Sequence, residues 1–226
     1  MGIGGSLGKA LAPRAHKLAP EMTANFIREA LSRAINGVGP LAGAAQAADK
    51  QLDEQDGDVD AAIREVIENH VRYAGAQGFV TNLGGLVTMA VALPANITGL
   101  AMIQCRMVAG IAHLRGYDLE DPRVRNAILA TMLGEDTVVS LVRKKVLPAP
   151  PMAIATAPTH DPHLDRLIAA EVTGELLTRV AGKRVATTVG RRVPVVGGLV
   201  GAGADGFATW KIGRYADREL LSRRRT

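Results

Sequence analysis

Residues 73–105 read YAGAQGFVTNLGGLVTMAVALPANITGLAMIQC, without one charged side chain. No other part of the sequence offers as much contiguous apolar surface for burial. A spanning helix needs roughly 20 apolar residues, so the length invites a transmembrane reading, but Gly84, Gly85, Pro94 and Gly99 interrupt the run. Proline lacks a backbone donor and crowds the preceding turn. The spacing therefore predicts two helices, or one sharply kinked helix, over 77–92 and 95–114. Asn82, Thr88, Asn96, Thr98 and Gln104 would be costly in hydrocarbon without partners, whereas a protein interior can supply carbonyls to them. The stretch reads as the core of a helical protein.

Outward from this core, composition sets the bounds. A chain of 226 residues that is 47% hydrophobic can bury a substantial interior. Aromatics make up 3% and glycine is abundant, so the interior must be built from aliphatic and small side chains, which favours helix on helix. The lone Cys105 excludes an internal disulfide and, inside an apolar run, reads as an inert packed thiol. MGIGGS at positions 1–6 fits the short N-myristoylation pattern, a modification confined to eukaryotic hosts. No apolar segment follows a basic start there, so the expectation is a cytoplasmic protein.

Upstream, a Gly-rich stretch over 1–18 reads as a flexible tail. From Pro20, the residues Met22, Phe26, Ile27, Ala30, Leu31, Ala34 and Ile35 recur at three- and four-residue steps, which predicts an amphipathic helix stopping at Asn36-Gly37. A small-residue helix is expected over 41–54. The acidic run Asp53, Glu54, Asp56, Asp58, Asp60 lacks the terminal glutamate of a calcium loop and reads as a loop opening the next helix. That helix, 58–73, puts Val59, Ala62, Ile63, Val66, Ile67, His70 and Val71 on one face, with His70 expected as a hydrogen-bonded core histidine.

Downstream, IAHLRGYDLEDPRVRNAILATML begins with the end of the second apolar helix. Gly116 suits a left-handed helix stop, Tyr117 can bury its ring, and Asp121-Pro122 is an N-cap and first-turn pair. Asp118 and Glu120 could pair with Arg106 or Arg115. The Pro-rich run LPAPPMAIATAPTHDP reads as an extended linker or surface excursion over 147–162. His160, Asp161, His163 and Asp165 place four donors within six residues, but Asp161-Pro162 serves equally as a helix start, and no metal is assigned. Leu164, Leu167, Ile168, Val172, Leu176 and Val180 then share a helix face. Small residues dominate from Lys183 to Trp210, where Gly197 and Gly201 form a G-x-x-x-G. The requirements of a phosphate-binding glycine loop are not met there. A second hairpin is expected over 186–212, with Phe207, Trp210 and Tyr215 at its end.

Charge divides the chain. Residues 1–140 hold 12 Lys and Arg against 15 Asp and Glu, while 141–226 hold 15 against 7. Basic clusters fall at Arg143, Lys144 and Lys145, at Lys183, Arg184, Arg191 and Arg192, and at Arg223, Arg224 and Arg225. Anionic head groups attract such clusters. Nucleic acid is not the expected partner, because stacking aromatics and DNA-reading motifs are lacking.

The order of these features resembles the EcsC family of bacterial proteins. The Gly-Gly apolar segment, the proline-interrupted segment and the turn Gly116, Tyr117, Asp118, Leu119 with Asp121 and Pro122 carry the resemblance. Pro194, Gly197, Gly198 and Gly201 continue it in a Pro-x-x-Gly hairpin, over residues 20–222 in all. The resemblance implies a helical protein named from association with an ABC-transporter operon, with no agreed catalytic residues.

The combined expectation is an all-α chain with a single domain over 19–222 and a basic tail over 223–226, built around hairpins at 79–114 and 186–212. Its function reads as non-enzymatic membrane or lipid association, without a cofactor, peripheral at the inner face of the cell membrane. Lys183, Arg184, Arg191, Arg192, Trp210, Arg223, Arg224 and Arg225 are the expected membrane contacts. The alternatives are a soluble adaptor of a membrane transporter and a hydrolase using the Asp118 or His160 neighbourhood.

Overall fold

Pro20 opens the first helix of the computed structural model, which describes the backbone of residues 20–83, 89–189 and 194–223 and the side chains of 25–77, 97–179 and 203–223. Helix α1 (Pro20–Asn36) stops where Gly37 takes φ +85°, a conformation that glycine reaches without Cβ strain. After the isolated bridge between Val38 and Leu41 comes α2 (Ala44–Glu54). Asp56 and Gly57 turn the chain with positive φ, and Asp58 accepts the Ala61 N–H at 2.9 Å. The acidic run is thus a loop and an N-cap, as its composition indicated.

Helix α3 (Val59–Leu83) continues well past Tyr73, and α4 (Met89–Leu114) passes through Pro94. Of the two expected forms, separate helices divided at Pro94 are corrected, because one helix runs through that position. Proline forfeits one backbone hydrogen bond, and as the sixth residue of a 26-residue helix Pro94 leaves the turns beyond it to form normally. The first hairpin is accordingly formed by α3 and α4, from 59 to 114, rather than by 79–114.

Helix α4 is the centre of the core. Ala101, Cys105, Met107, Val108, Ala109, Ile111, Ala112 and Leu114 are wholly buried, and α1, α2, α3 and three later helices pack around it. Among the described residues, Ile97–Leu114 is the one segment long and apolar enough to cross a membrane, and 67% of it is buried inside the fold. Burial on this scale is what a core helix shows. Its end uses the GYDL turn. Gly116 has φ +86°, and Tyr117 N–H reaches back to the Ala112 carbonyl at 3.0 Å, which gives a left-handed cap.

Asp121 caps α5 (Pro122–Met132) by accepting the Arg123 N–H at 2.8 Å. Glu120 pairs with Arg125 at 2.7 Å and Asp118 accepts the Glu120 N–H at 2.9 Å. Neither acid meets Arg106 or Arg115, so that expected network is corrected: short local bonds hold both carboxylates in their own turn. After α6 (Glu135–Arg143) the segment 147–162 is not an extended linker throughout. It contains the short helix α7 (Pro151–Ala155), with Leu147, Pro151, Ile154 and Ala155 buried. A proline at a first helical position needs no donor, and apolar side chains dock the segment on α5.

Helices α8 (Pro162–Val189) and α9 (Pro194–Glu219) complete the fold. Among the described residues, the most extensive partner of α9 is α3. Gly206 meets Val71, and Gly213 meets Ile67 and Met107, so small residues of α9 bring its backbone against α3. No strand occurs among the described residues; the chain is all-α.

Candidate functional site

Three helices and the loop before α2 line one cleft. Ala44 and Ala48 of α2, Val66 of α3 and Gly110 of α4 give it an apolar side, and His70, Tyr73 and Arg106 add polar groups to a space of about 790 Å³. His70 is 7% exposed. Its Nδ1 lies 2.7 Å from the Val66 carbonyl, so Nδ1 carries the proton and Nε2 presents a lone pair. Nε2 has no hydrogen-bond partner. Burial, with a smaller contribution from Arg106, lowers the His70 pKa to about 4, and the ring is neutral at pH 7. Tyr73 packs edge-on against it, 5.8 Å between centroids.

Helices α6, α8 and α9 line the second cleft, about 580 Å³. On its margin Phe207 and Trp210 stack at 6.0 Å with an interplanar angle of 17° and remain 60% and 46% exposed. Lys211 Nζ stands 6.0 Å from the Phe207 ring centre, a cation–π distance. The cations of this cleft are largely matched by acids. Arg218 meets Glu135 at 2.6 Å, Arg179 meets Glu175 at 2.9 Å, and Lys211 is 3.7 Å from Asp136. Arg179 also donates to the Leu133 carbonyl at 3.0 Å, where the negative end of α5 favours a cation.

The expected membrane contacts divide by position. Trp210 is on the exposed α9 surface, and Arg223 is exposed while its N–H donates to the Arg115 carbonyl at 2.7 Å. Lys183 and Arg184 fall on α8, and Pro194, Gly197 and Gly198 on the start of α9, with side chains outside the described residues. Arg191, Arg192, Arg224 and Arg225 lie outside the described residues. Arg143, Lys144 and Lys145 are exposed at the end of α6 and have no acidic partner among the described residues. Tyr215, on the same helix as Phe207 and Trp210, is buried at 5%.

Three of the four candidate metal donors, His160, Asp161 and Asp165, make hydrogen bonds within the fold, and His163 is exposed. Asp165 accepts from His160 and Asn126, each at 2.7 Å, and pairs with Arg28 at 3.2 Å. Asp161 accepts the His163 N–H at 2.9 Å. Among the described residues no group of three His, Cys, Asp or Glu side chains is arranged to hold a metal ion.

The GYDL turn joins distant parts of the chain. The Tyr117 hydroxyl donates to the Leu221 carbonyl at 3.0 Å, and Arg115 bridges Asp60 at 2.9 Å and Asp217 at 2.7 Å. The first and last long helices of the core are thereby tied to the end of α4. A model of the EcsC protein family matches residues 5–224. The chain belongs to the EcsC family. No curated protein and no solved structure matches it. In this EcsC chain the turn motif has structural work: Gly116 stops α4, Tyr117 reaches Leu221, Leu119 is buried and Asp121 caps α5.

Sequence reasoning named Arg106 only as a partner for Asp118 or Glu120, and missed the cleft it shares with His70. The stripe of α3 marked His70 as inward-facing, and Tyr73 follows it on the same helix, but only the approach of α2 and α4 encloses the space and brings Arg106 to it.

Proposed function

We propose that this EcsC protein is a peripheral membrane-binding protein that docks on anionic lipid through the Phe207–Trp210 surface of α9. The carrying observation is the stacked, exposed aromatic pair with Lys211 beside it. Two large rings left in water are an uncommon expenditure of apolar area, and amphipathic rings next to cations suit the head-group layer. Arg143, Lys144 and Lys145, exposed and without an acidic partner among the described residues, add positive charge, and a basic side chain is worth about 1 kcal/mol near an anionic surface. Because the apolar α4 is largely buried, docking uses the surface of the folded protein and leaves the core closed.

Flotation of the purified protein with phosphatidylcholine vesicles, and with vesicles that also contain phosphatidylglycerol, tests this reading. Binding to the anionic vesicles that weakens at raised salt, and falls again in the Phe207→Ser/Trp210→Ser variant, is expected. Flotation that is absent, or indifferent to both substitutions, overturns it.

A further inference from the structure

The cleft bounded by α2, α3 and α4 holds two unmet polar demands on one apolar space. Arg106 is half-buried and has no acidic partner among the described residues. Other charged groups of the lining are engaged or outward. Asp49 takes His113 at 2.7 Å, Lys50 lies 3.6 Å from Glu54, and Asp53 is exposed at the rim. His70 brings the opposite demand: its Nδ1–H is committed to Val66, and Nε2 is a buried acceptor without a donor. A buried acceptor left unsatisfied is a standing penalty that a suitable hydroxyl removes.

We propose that this cleft binds a small organic anion that carries one negative charge and a neighbouring hydroxyl. The anionic group accepts from the Arg106 guanidinium, which suits planar two-oxygen groups. The hydroxyl donates to His70 Nε2. Asp49 and Asp53 on the rim repel a second negative charge, and the apolar side formed by Ala44, Ala48, Val66 and Gly110 accepts the carbon skeleton. Tyr73, 59% exposed and edge-on to His70, turns aside to admit the hydroxyl. Because its burial keeps the ring neutral at pH 7, His70 remains an acceptor there. Two sources share this chemistry, a soluble hydroxy acid and the glycerol-bearing head group of an anionic lipid. The proposal stands apart from vesicle docking, since Phe207 and Trp210 line the other cleft.

Calorimetric titration with glycerate and with glycerophosphoglycerol, against propionate and dimethyl phosphate as comparators without a hydroxyl, tests it. At least one hydroxylated probe is expected to bind about tenfold or more tightly than its comparator, and to move the 15N resonance of His70 Nε2. Arg106→Gln is expected to abolish binding. His70→Asn can still donate to Val66 through its amide, so it retains the fold, checked by thermal melting, and is expected to lose the preference for the hydroxyl. Binding of glycerate alone identifies a soluble acid as the ligand, and binding of glycerophosphoglycerol alone a lipid head group. No binding of either probe, equal binding of the comparators, or binding that survives Arg106→Gln overturns the proposal, whatever the vesicles do.

Discussion

Gly213 of α9 lies so close to Ile67 of α3 that a Cβ added to the glycine would sit 2.9 Å from Ile67 Cγ1 and 3.1 Å from Met107 Sδ. Ile67 and Met107 are both buried in the core, so neither can retreat freely. Gly203, ten positions earlier on the same helix, has nothing within 4 Å of its added Cβ. Alanine at the two positions should act oppositely. Gly213→Ala should destabilise the protein by about 1–3 kcal/mol through overpacking, and Gly203→Ala should stabilise it by about 0.5–1 kcal/mol by favouring the helix. Urea titrations of both variants measure the two signs.

The buried His70 should make stability depend on pH. Its folded pKa, about 4, lies below the ordinary 6.5 because burial disfavours the charged ring and Arg106 adds to this against the opposing Val66 hydrogen bond. Between these values the unfolded chain binds a proton that the folded chain excludes. Stability should therefore be intact above pH 6.5 and fall as the pH drops towards 4, by about 3 kcal/mol from this residue. A His70→Gln variant should show a shallower loss over that window, measured by denaturant unfolding from pH 7.5 to 4.5.

Cys105 should be chemically silent while the protein is folded. It is fully buried, its Sγ is 3.3 Å from Met132 Sδ, and burial raises its pKa far above the ordinary thiol range. Since the thiolate is the reactive form, iodoacetamide should label it only on unfolding. Rapid labelling of the native protein would contradict this placement.

Arg115 should tolerate no lysine. Its guanidinium reaches Asp60 with one nitrogen and Asp217 with another, and its side chain is 18% exposed. An ammonium cannot reproduce that fork, so Arg115→Lys should destabilise by about 1–3 kcal/mol, near the loss in Arg115→Ala. Full rescue by lysine in thermal unfolding would show that charge alone suffices.

Much of the fold was legible in local pattern. The stripe from Phe26 to Ile35, the cap at Asp121 and the left-handed stop at Gly116 each express chemistry confined to a few neighbouring residues, and the helices follow it. Pro94 misled because a proline's local penalty is one term among those set by α4's many packing partners. The 147–162 segment misled because Ile154 and Ala155 reveal their burial only when α5 is beside them. Pairing of α9 with α3 depends on helices far apart in sequence, and the meeting of His70 with Arg106 on how the consecutive helices α3 and α4 pack; neither leaves a short-range mark. The exposed aromatics were legible as types near basic residues, but the sequence could not separate surface Trp210 from buried Tyr215. Within the hairpin expected over 186–212, residues 190–193 lie outside the described residues, as do the cations Arg191, Arg192, Arg224 and Arg225.

The bond between Arg115 and Asp217 spans 102 positions, and α3 waits for α9 in the same way. At roughly 5–20 residues per second on the ribosome, α3 and α4 emerge several seconds before their partner exists. Until then the groove beside Ile67 and Met107 is an open apolar seam on a nascent chain. Cooperative closure must follow synthesis of α9, so a stalled or truncated product ending before that helix is a natural substrate for chaperones and proteases.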